Sequence, residues 1–153
     1  MRLSILIIIT FFSAVLTPTQ ASNFNLDTGF AADASKYNKT LINAVSKAGT
    51  RLIGVGIHGI IIYSDDNGTN WEQASVPTTK TLTDIDCINK NVCWATGHDA
   101  YILKTTDRGQ NWIIQYQDEI FDAPLLSISM FNENAGIAVG AFAKSLMTTD
   151  GGN

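Results

Sequence analysis

From Leu41 onward, short runs rich in Val, Ile and aromatic residues alternate with turns of Gly, Asn and Asp, the pattern of strands joined by tight connections. The first group of runs predicts strands at about Leu41 to Ser46, Arg51 to Gly56, Ile60 to Ser64 and Asn70 to Ser75. The second predicts Leu82 to Cys87, Val92 to Gly97, Tyr101 to Thr105 and Asn111 to Tyr116. A third offers Leu125 to Met130, Ala135 to Gly140 and Lys144 to Thr148, with no fourth run. The first strand of each group has unlike sides. Thr83, Ile85 and Cys87, like Leu126, Ile128 and Met130, form a column suited to packing against a neighbouring sheet. The opposite column holds Asn43, then Asp84 and Asp86, then Ser127 and Ser129. In a ring whose first strands are innermost this polar column lines a central channel, where its carboxylates are either solvated or offered to a cation or polar ligand.

Three of the turns are near copies. Ser64 to Trp71 reads SDDNGTNW, Thr105 to Trp112 reads TTDRGQNW, and Thr148 to Asn153 reads TTDGGN. Their starts lie 41 and then 43 residues apart, in the range of four-stranded propeller blades. The shared pattern is Ser/Thr-x-Asp-x-Gly-x-x-Trp. The hydroxyls of Ser64, Thr105 and Thr148 and the carboxylates of Asp66, Asp107 and Asp150 suit turn N–H groups that no strand ladder reaches. Gly68, Gly109 and Gly152 supply a position of positive φ. Trp71 and Trp112 open the next strand with indoles large enough to fill the space between sheets. The expected fold is all-β: a β-propeller of four-stranded antiparallel blades at about residues 41–76, 82–117 and 125–153, the last without its outer strand. Such rings take roughly four to eight blades. The chain therefore reads as the N-terminal part of a longer protein, an incomplete ring with an unpaired edge.

The repeated turn resembles the Asp-box, or BNR repeat, of sialidases and other β-propellers. Its flanks narrow the resemblance: Gly56, Gly97 and Gly140 stand eight residues before the boxes, and Gly59, Ala100 and Ala143 follow three later. This composite is similar to the photosystem II assembly and stability factor family over about residues 41 to 153. The resemblance implies a non-enzymatic scaffold or assembly factor that engages a protein partner, expected to be a membrane or envelope protein, with no cofactor and no metal. The alternative is a sialidase-type glycoside hydrolase. Its chemistry calls for an arginine cluster around a substrate carboxylate, a tyrosine nucleophile with a glutamate beside it, and an acid/base carboxylate. After Ala21 the chain has only Arg51 and Arg108, and Arg108 lies inside a box. In the related enzymes the boxes lie away from the active site, so their aspartates are read as structural and no residue is given a catalytic role.

Ahead of the repeats, Met1 to Ala21 has the form of a secretory signal: Arg2, an apolar run from Leu3 to Leu16 broken only by Ser4, Thr10 and Ser13, then Pro18 and the small Ala21. The rival reading is an uncleaved anchor, for which the run is short of the roughly 20 residues a spanning helix needs. The expected location is the periplasm or the exterior after cleavage. Ser22 to Thr40 matches no repeat, but Phe24, Leu26 and Phe30 offer a strand to close the ring. Without the leader, fourteen carboxylates face nine Lys and Arg. That balance argues against a nucleic-acid partner. Export also suits a disulfide: Cys87 and Cys93 flank a hairpin-like segment, and bonding them staples the first two strands of the second blade. Two unpaired buried thiols are the alternative.

Opposite the boxes, the loops between second and third strands carry His58, His98, Asp99 and Phe142. His58 and His98 fall at nearly equivalent turn positions, so the four mark either a candidate interaction surface or solvated loop tips. No third ligand at metal-like spacing accompanies the histidines. The glycines of GVGIHG precede no helical pattern, which sets aside a phosphate-binding loop.

Overall fold

The computed structural model describes residues 31, 40–118, 120 and 123–152. The expected leader lies outside them, as does the Ser22–Thr40 segment apart from Ala31 and Thr40. Three antiparallel sheets follow one another along the chain. β1 (Ile42–Ala48), β2 (Arg51–Gly56), β3 (Ile61–Ser64) and β4 (Glu72–Gln73) form the first in sequence order. β5 (Leu82–Cys87), β6 (Cys93–Gly97), β7 (Ile102–Thr105) and β8 (Ile113–Tyr116) form the second, and β9 (Leu125–Met130), β10 (Gly136–Gly140) and β11 (Ser145–Thr148) the third. β1 packs against β5 and β5 against β9, so the sheets stand as consecutive propeller blades with their first strands together.

The core lies between blades. Ile53 and Val55 of β2 and Ile61 of β3 meet Ile85, Ala95, Leu103 and Trp112 of the second blade in one buried cluster. Trp94 and Ala100 of the second blade meet Leu125, Ile128, Met130 and Ala138 of the third in another. Each fully buried aliphatic side chain contributes about 1.5–3 kcal/mol, so it is the stacking of blades that holds each sheet flat on its neighbour.

β4 is shorter than the Asn70 to Ser75 run predicts, and the cause is the next blade. Ala74 still donates to Ile61 O at 2.9 Å, but Ser75 turns away from its own sheet. Its N–H donates to Gln110 O at 2.8 Å and its carbonyl accepts from Trp112 N–H at 3.0 Å, a parallel bridge to Asn111. The outer edge of the first blade thus pairs with the box of the second.

The expected alternation of the innermost strands fails once in each blade: pairing of β1 with β2 shifts between Ile42 and Ala44. Pairing of β5 with β6 shifts between Leu82 and Asp84, and pairing of β10 with β9 shifts between Val139 and Gly140. Bulges of this kind break the period of two. Thr83 does not join a packing column: its Oγ1 lies 2.6 Å from Leu125 O and 3.1 Å from Thr96 O. Leu126 is exposed, not packed with Ile128.

The glycines at the ends of β2, β6 and β10 are required by a close approach. A Cβ on Gly56, Gly97 or Gly140 would stand 2.1, 2.4 and 2.1 Å from the carbonyl oxygens of Leu41, Thr81 and Pro124. Those same carbonyls accept the N–H of the following residue, Ile57, His98 or Ala141. Across β5 and β6, Cys87 faces Cys93 and the two are joined by a disulfide.

Candidate functional site

The boxes are built as hydrogen-bonded turns. Ser64 Oγ accepts from Gly68 N–H at 2.8 Å and donates to Asp66 Oδ1 at 2.8 Å. Oδ1 also accepts from Asn70 N–H at 2.8 Å, Oδ2 accepts from Asn70 Nδ2 at 2.7 Å, and Trp71 Nε1 donates to Gly68 O at 3.0 Å. The second box repeats each bond: Gly109 N–H to Thr105 Oγ1 at 3.1 Å, Thr105 to Asp107 at 2.8 Å, Asn111 to Asp107 at 3.0 and 2.8 Å, and Trp112 Nε1 to Gly109 O at 3.0 Å. In the third, Thr148 Oγ1 donates to Asp150 at 2.9 Å and accepts from Gly152 N–H at 2.9 Å.

Two parts of this geometry were missed in the four-position pattern. Asn70 and Asn111 bind the box aspartate through main chain and side chain together, and the Asn-Trp pair common to both boxes is the signal that points to them. The residue before each box glycine is also left-handed, with φ of 58° at Asn67, 67° at Arg108 and 77° at Gly151. Asn and Gly tolerate that region easily. The bonds from Asn70 and Ser64 hold the Asp66 carboxyl down to about 2. Burial acts the other way at Asp107, but bonds from Asn111 and Thr105 outweigh it and leave that carboxyl below the usual range. Carboxylates held ionised in this way are poor proton donors at neutral pH.

The polar column of the innermost strands keeps Ser127 and Ser129 exposed, as a solvated lining would, and its side chains also have a structural use. It clips one blade to the next. Asn43 Nδ2 donates to Leu82 O at 2.7 Å. Asp84 Oδ2 accepts from Ser127 Oγ at 2.8 Å and from Ile128 N–H at 3.0 Å, and Asp86 Oδ2 accepts from Met130 N–H at 2.7 Å.

Arg51 and Arg108 converge on Asp65. Arg51 is 3% exposed, binds both oxygens of Asp65 at 2.8 and 2.5 Å, and lies 4.1 Å over the Tyr63 ring. Arg108 reaches Asp65 from the second blade at 3.4 Å. The hydrogen bond from Arg51 lowers the pKa of Asp65, and the same bond raises that of Arg51. Asp65 fills a variable position of the box, so the pattern gave no reason to single it out.

At the other end of β3, β7 and β11, the loops between second and third strands are tight left-handed turns. His58, Asp99 and Phe142 occupy the same place in them, with φ of 56°, 55° and 54°. His98 stands one position earlier, so the register partner of His58 is Asp99 and the histidines do not share a position. Phe142 is 80% exposed, His58 and His98 are exposed, and Asp99 forms an ion pair with Lys80. The four residues therefore lie on turn tips at one end of three blades. Among the described residues, no three His, Cys, Asp or Glu side chains stand around a possible ion.

The family model described as "Photosynthesis system II assembly factor YCF48" matches residues 63–153. The uncharacterized protein YkuO of Bacillus subtilis (strain 168) is 30% identical over 103 residues, which cover 67% of this chain and 34% of that protein. The photosystem II assembly protein Ycf48 of Thermosynechococcus vestitus (strain NIES-2133 / IAM M-273 / BP-1) is 38% identical over 42 residues, 28% of this chain and 12% of that one. The chain thus spans about a third or less of these curated relatives. Among solved structures, YCF48 bound to D1 peptide superposes with a TM-score of 0.66 at 19% identity, over 74% of this chain and 39% of that chain. YCF48 from Cyanidioschyzon merolae gives 0.64 at 18% identity, over 74% and 38%. These two likenesses establish the fold.

Proposed function

This chain belongs to the photosynthesis system II assembly factor YCF48 family, and we propose that it is part of an exported, non-enzymatic propeller that acts as an assembly or stability scaffold for a protein partner. The observation that carries this reading is the convergence of Arg51 and Arg108 on Asp65. A sialidase-type site needs arginines turned toward a substrate carboxylate, and these two hold blades together. The box aspartates are likewise engaged by their own turns.

One relative of this fold is described as bound to a D1 peptide. By extension the partner here is a protein segment, and a membrane or envelope protein suits an exported scaffold. The turn tips at His58, His98, Asp99 and Phe142 form the docking face, with Phe142 as its apolar anchor. Export rests on the charged start, apolar run and small-residue end of Met1 to Ala21.

The test uses the longer protein, cross-linked in its membrane fraction and recovered by affinity. A single partner is expected to be retained, and Phe142→Glu or His58→Glu is expected to lower its recovery without lowering the melting temperature. Full recovery with both variants would remove the face. Hydrolysis of a fluorogenic sialoside by the pure protein would remove the scaffold reading itself. N-terminal sequencing of the mature protein is expected to start at Ser22.

A further inference from the structure

Asn67 is exposed in the first box, and it is the only asparagine of the chain that a glycine follows. Arg108 and Gly151 hold its place in the other two boxes. An Asn-Gly pair carries a reaction of its own. The glycine amide nitrogen, having lost its proton to a base in solution, attacks the asparagine Cγ and forms a C–N bond. Nδ2 leaves as ammonia with a proton from solvent, and a five-membered imide remains. Water then adds to either imide carbonyl and opens the ring to an aspartate or an isoaspartate. Glycine favours the attack because no Cβ shields its nitrogen.

The folded turn opposes both requirements of this chemistry. Gly68 N–H donates to Ser64 Oγ at 2.8 Å, which keeps the proton on the nitrogen and the nitrogen in place. Ring closure also needs Asn67 Cβ and Gly68 N on the same side of the Asn67 Cα–C bond. At a left-handed residue, as Asn67 is with φ of 58°, the two lie on nearly opposite sides. The peptide between Asn67 and Gly68 is a rigid plane, so bringing them together turns the whole plane and breaks the bond to Ser64. The residues that follow are braced as well: Trp71 Nε1 donates to Gly68 O at 3.0 Å, and Asn70 binds both oxygens of Asp66.

We infer that Asn67 is a site of spontaneous deamidation guarded by the Ser64 hydroxyl, so that the modification records how often the first box opens. The change is one-way. An isoaspartate places an extra carbon in the main chain between Cα of residue 67 and Gly68 N, so Gly68 can no longer meet Ser64 Oγ and the Trp71 ring together. Either product adds a carboxylate next to Asp65 and Asp66. The boxes lie at the opposite end of the strands from the turn tips of His58 and Phe142, and the inference is independent of the partner proposed above.

The test incubates the whole chain in mildly alkaline buffer, folded or unfolded in urea, and follows the peptide containing Asn67 by mass spectrometry, which separates amide from acid. The folded protein is expected to react at least about tenfold more slowly than the unfolded chain, since reaction must await local opening. Ser64→Ala removes the acceptor and is expected to speed the folded-state reaction about two- to tenfold. Asp84→Ala, which loosens the protein away from the box, is expected to leave that rate unchanged, and this separates local opening from loss of overall stability. The comparison of folded and unfolded chains needs no variant and decides even where Ser64→Ala fails to fold. Equal rates in the two states, or equal acceleration by the two variants, would overturn the inference.

Discussion

Arg51 Nη1 donates to the carbonyl oxygen of Arg108 at 3.0 Å, tying β2 of the first blade to the box turn of the second. Lys104 Nζ does the same for the Gly151 carbonyl at 3.2 Å, and Gly151 is the third-blade counterpart of Arg108. In both cases the cation lies over an aromatic ring of its own blade, Tyr63 at 4.1 Å or Trp94 at 5.1 Å. The two cations start from different strands. What repeats is a turn carbonyl that accepts a charged donor from the preceding blade, a relation that no residue-for-residue motif contains.

Arg51 is accordingly expected to matter more for stability than a lone arginine at the start of a strand. Arg51→Met leaves the Arg108 carbonyl and Asp65 without their buried donor, a loss of about 1–3 kcal/mol for hydrogen bonds to a charged group. Arg51→Lys is expected to recover only part of it, because an ammonium cannot reproduce the two-pronged contact with Asp65. Urea denaturation of the three forms checks both statements.

The acid side of the stability profile follows from the turns. Asp65, Asp66 and Asp107 all have folded-state pKa values below the ordinary one, that of Asp66 at about 2. Such a group contributes stability above its unfolded value, near 4, and the contribution is lost as pH falls through the folded value. The melting temperature is therefore expected to decline from about pH 4 toward about pH 2. Asp66→Asn should lower the plateau and make the decline shallower, and a melting series from pH 6 to 2 reads both.

What was legible in the sequence is what recurs. The box hydroxyl, carboxylate, glycine and indole each serve the turn in which they stand, so a local pattern suffices to find them, and with their spacing it yields the blades. The contacts that join blades are another matter. Alternation correctly put Asp84 and Asp86 on one side of β5, but only the assembled ring brings Ile128 N–H and Met130 N–H within 3.0 and 2.7 Å of them. Thr83 and Leu126 were misplaced because a bulge is fixed by pairing with the neighbouring strand. His58 and Asp99 share a backbone turn while differing in every side-chain property, so similarity of residue type led to His98.

Asp84 and Asp86 give a prediction that separates clips from an ion site. Asp84→Ala removes the acceptor of Ile128 N–H and Ser127 Oγ, and Asp86→Ala that of Met130 N–H. Each is expected to cost about 1–2 kcal/mol and to speed hydrogen exchange at the orphaned amide. Millimolar calcium or magnesium should leave the unsubstituted protein's melting temperature unchanged. A rise on adding either ion would favour a cation between the carboxylates.

Trp71 and Trp112 hold the same place in their boxes and make the same ring N–H bond to a box glycine carbonyl, so the motif alone predicts equal importance. Their burial differs: Trp112 is 3% exposed among the side chains of two blades, whereas Trp71 is 41% exposed. Removing a buried indole costs about 3–5 kcal/mol through lost transfer energy and the cavity left behind. Trp112→Ala is therefore expected to abolish most of the chain's stability, because it unseats the cluster formed with Ile53 and Ile61. Trp71→Ala in this chain is expected to cost about 1–2 kcal/mol, since most large losses require a buried site. Denaturation midpoints for the two variants measure the difference, and equal losses would mean that the turn bond, and not the inter-blade contact, is what the indole contributes.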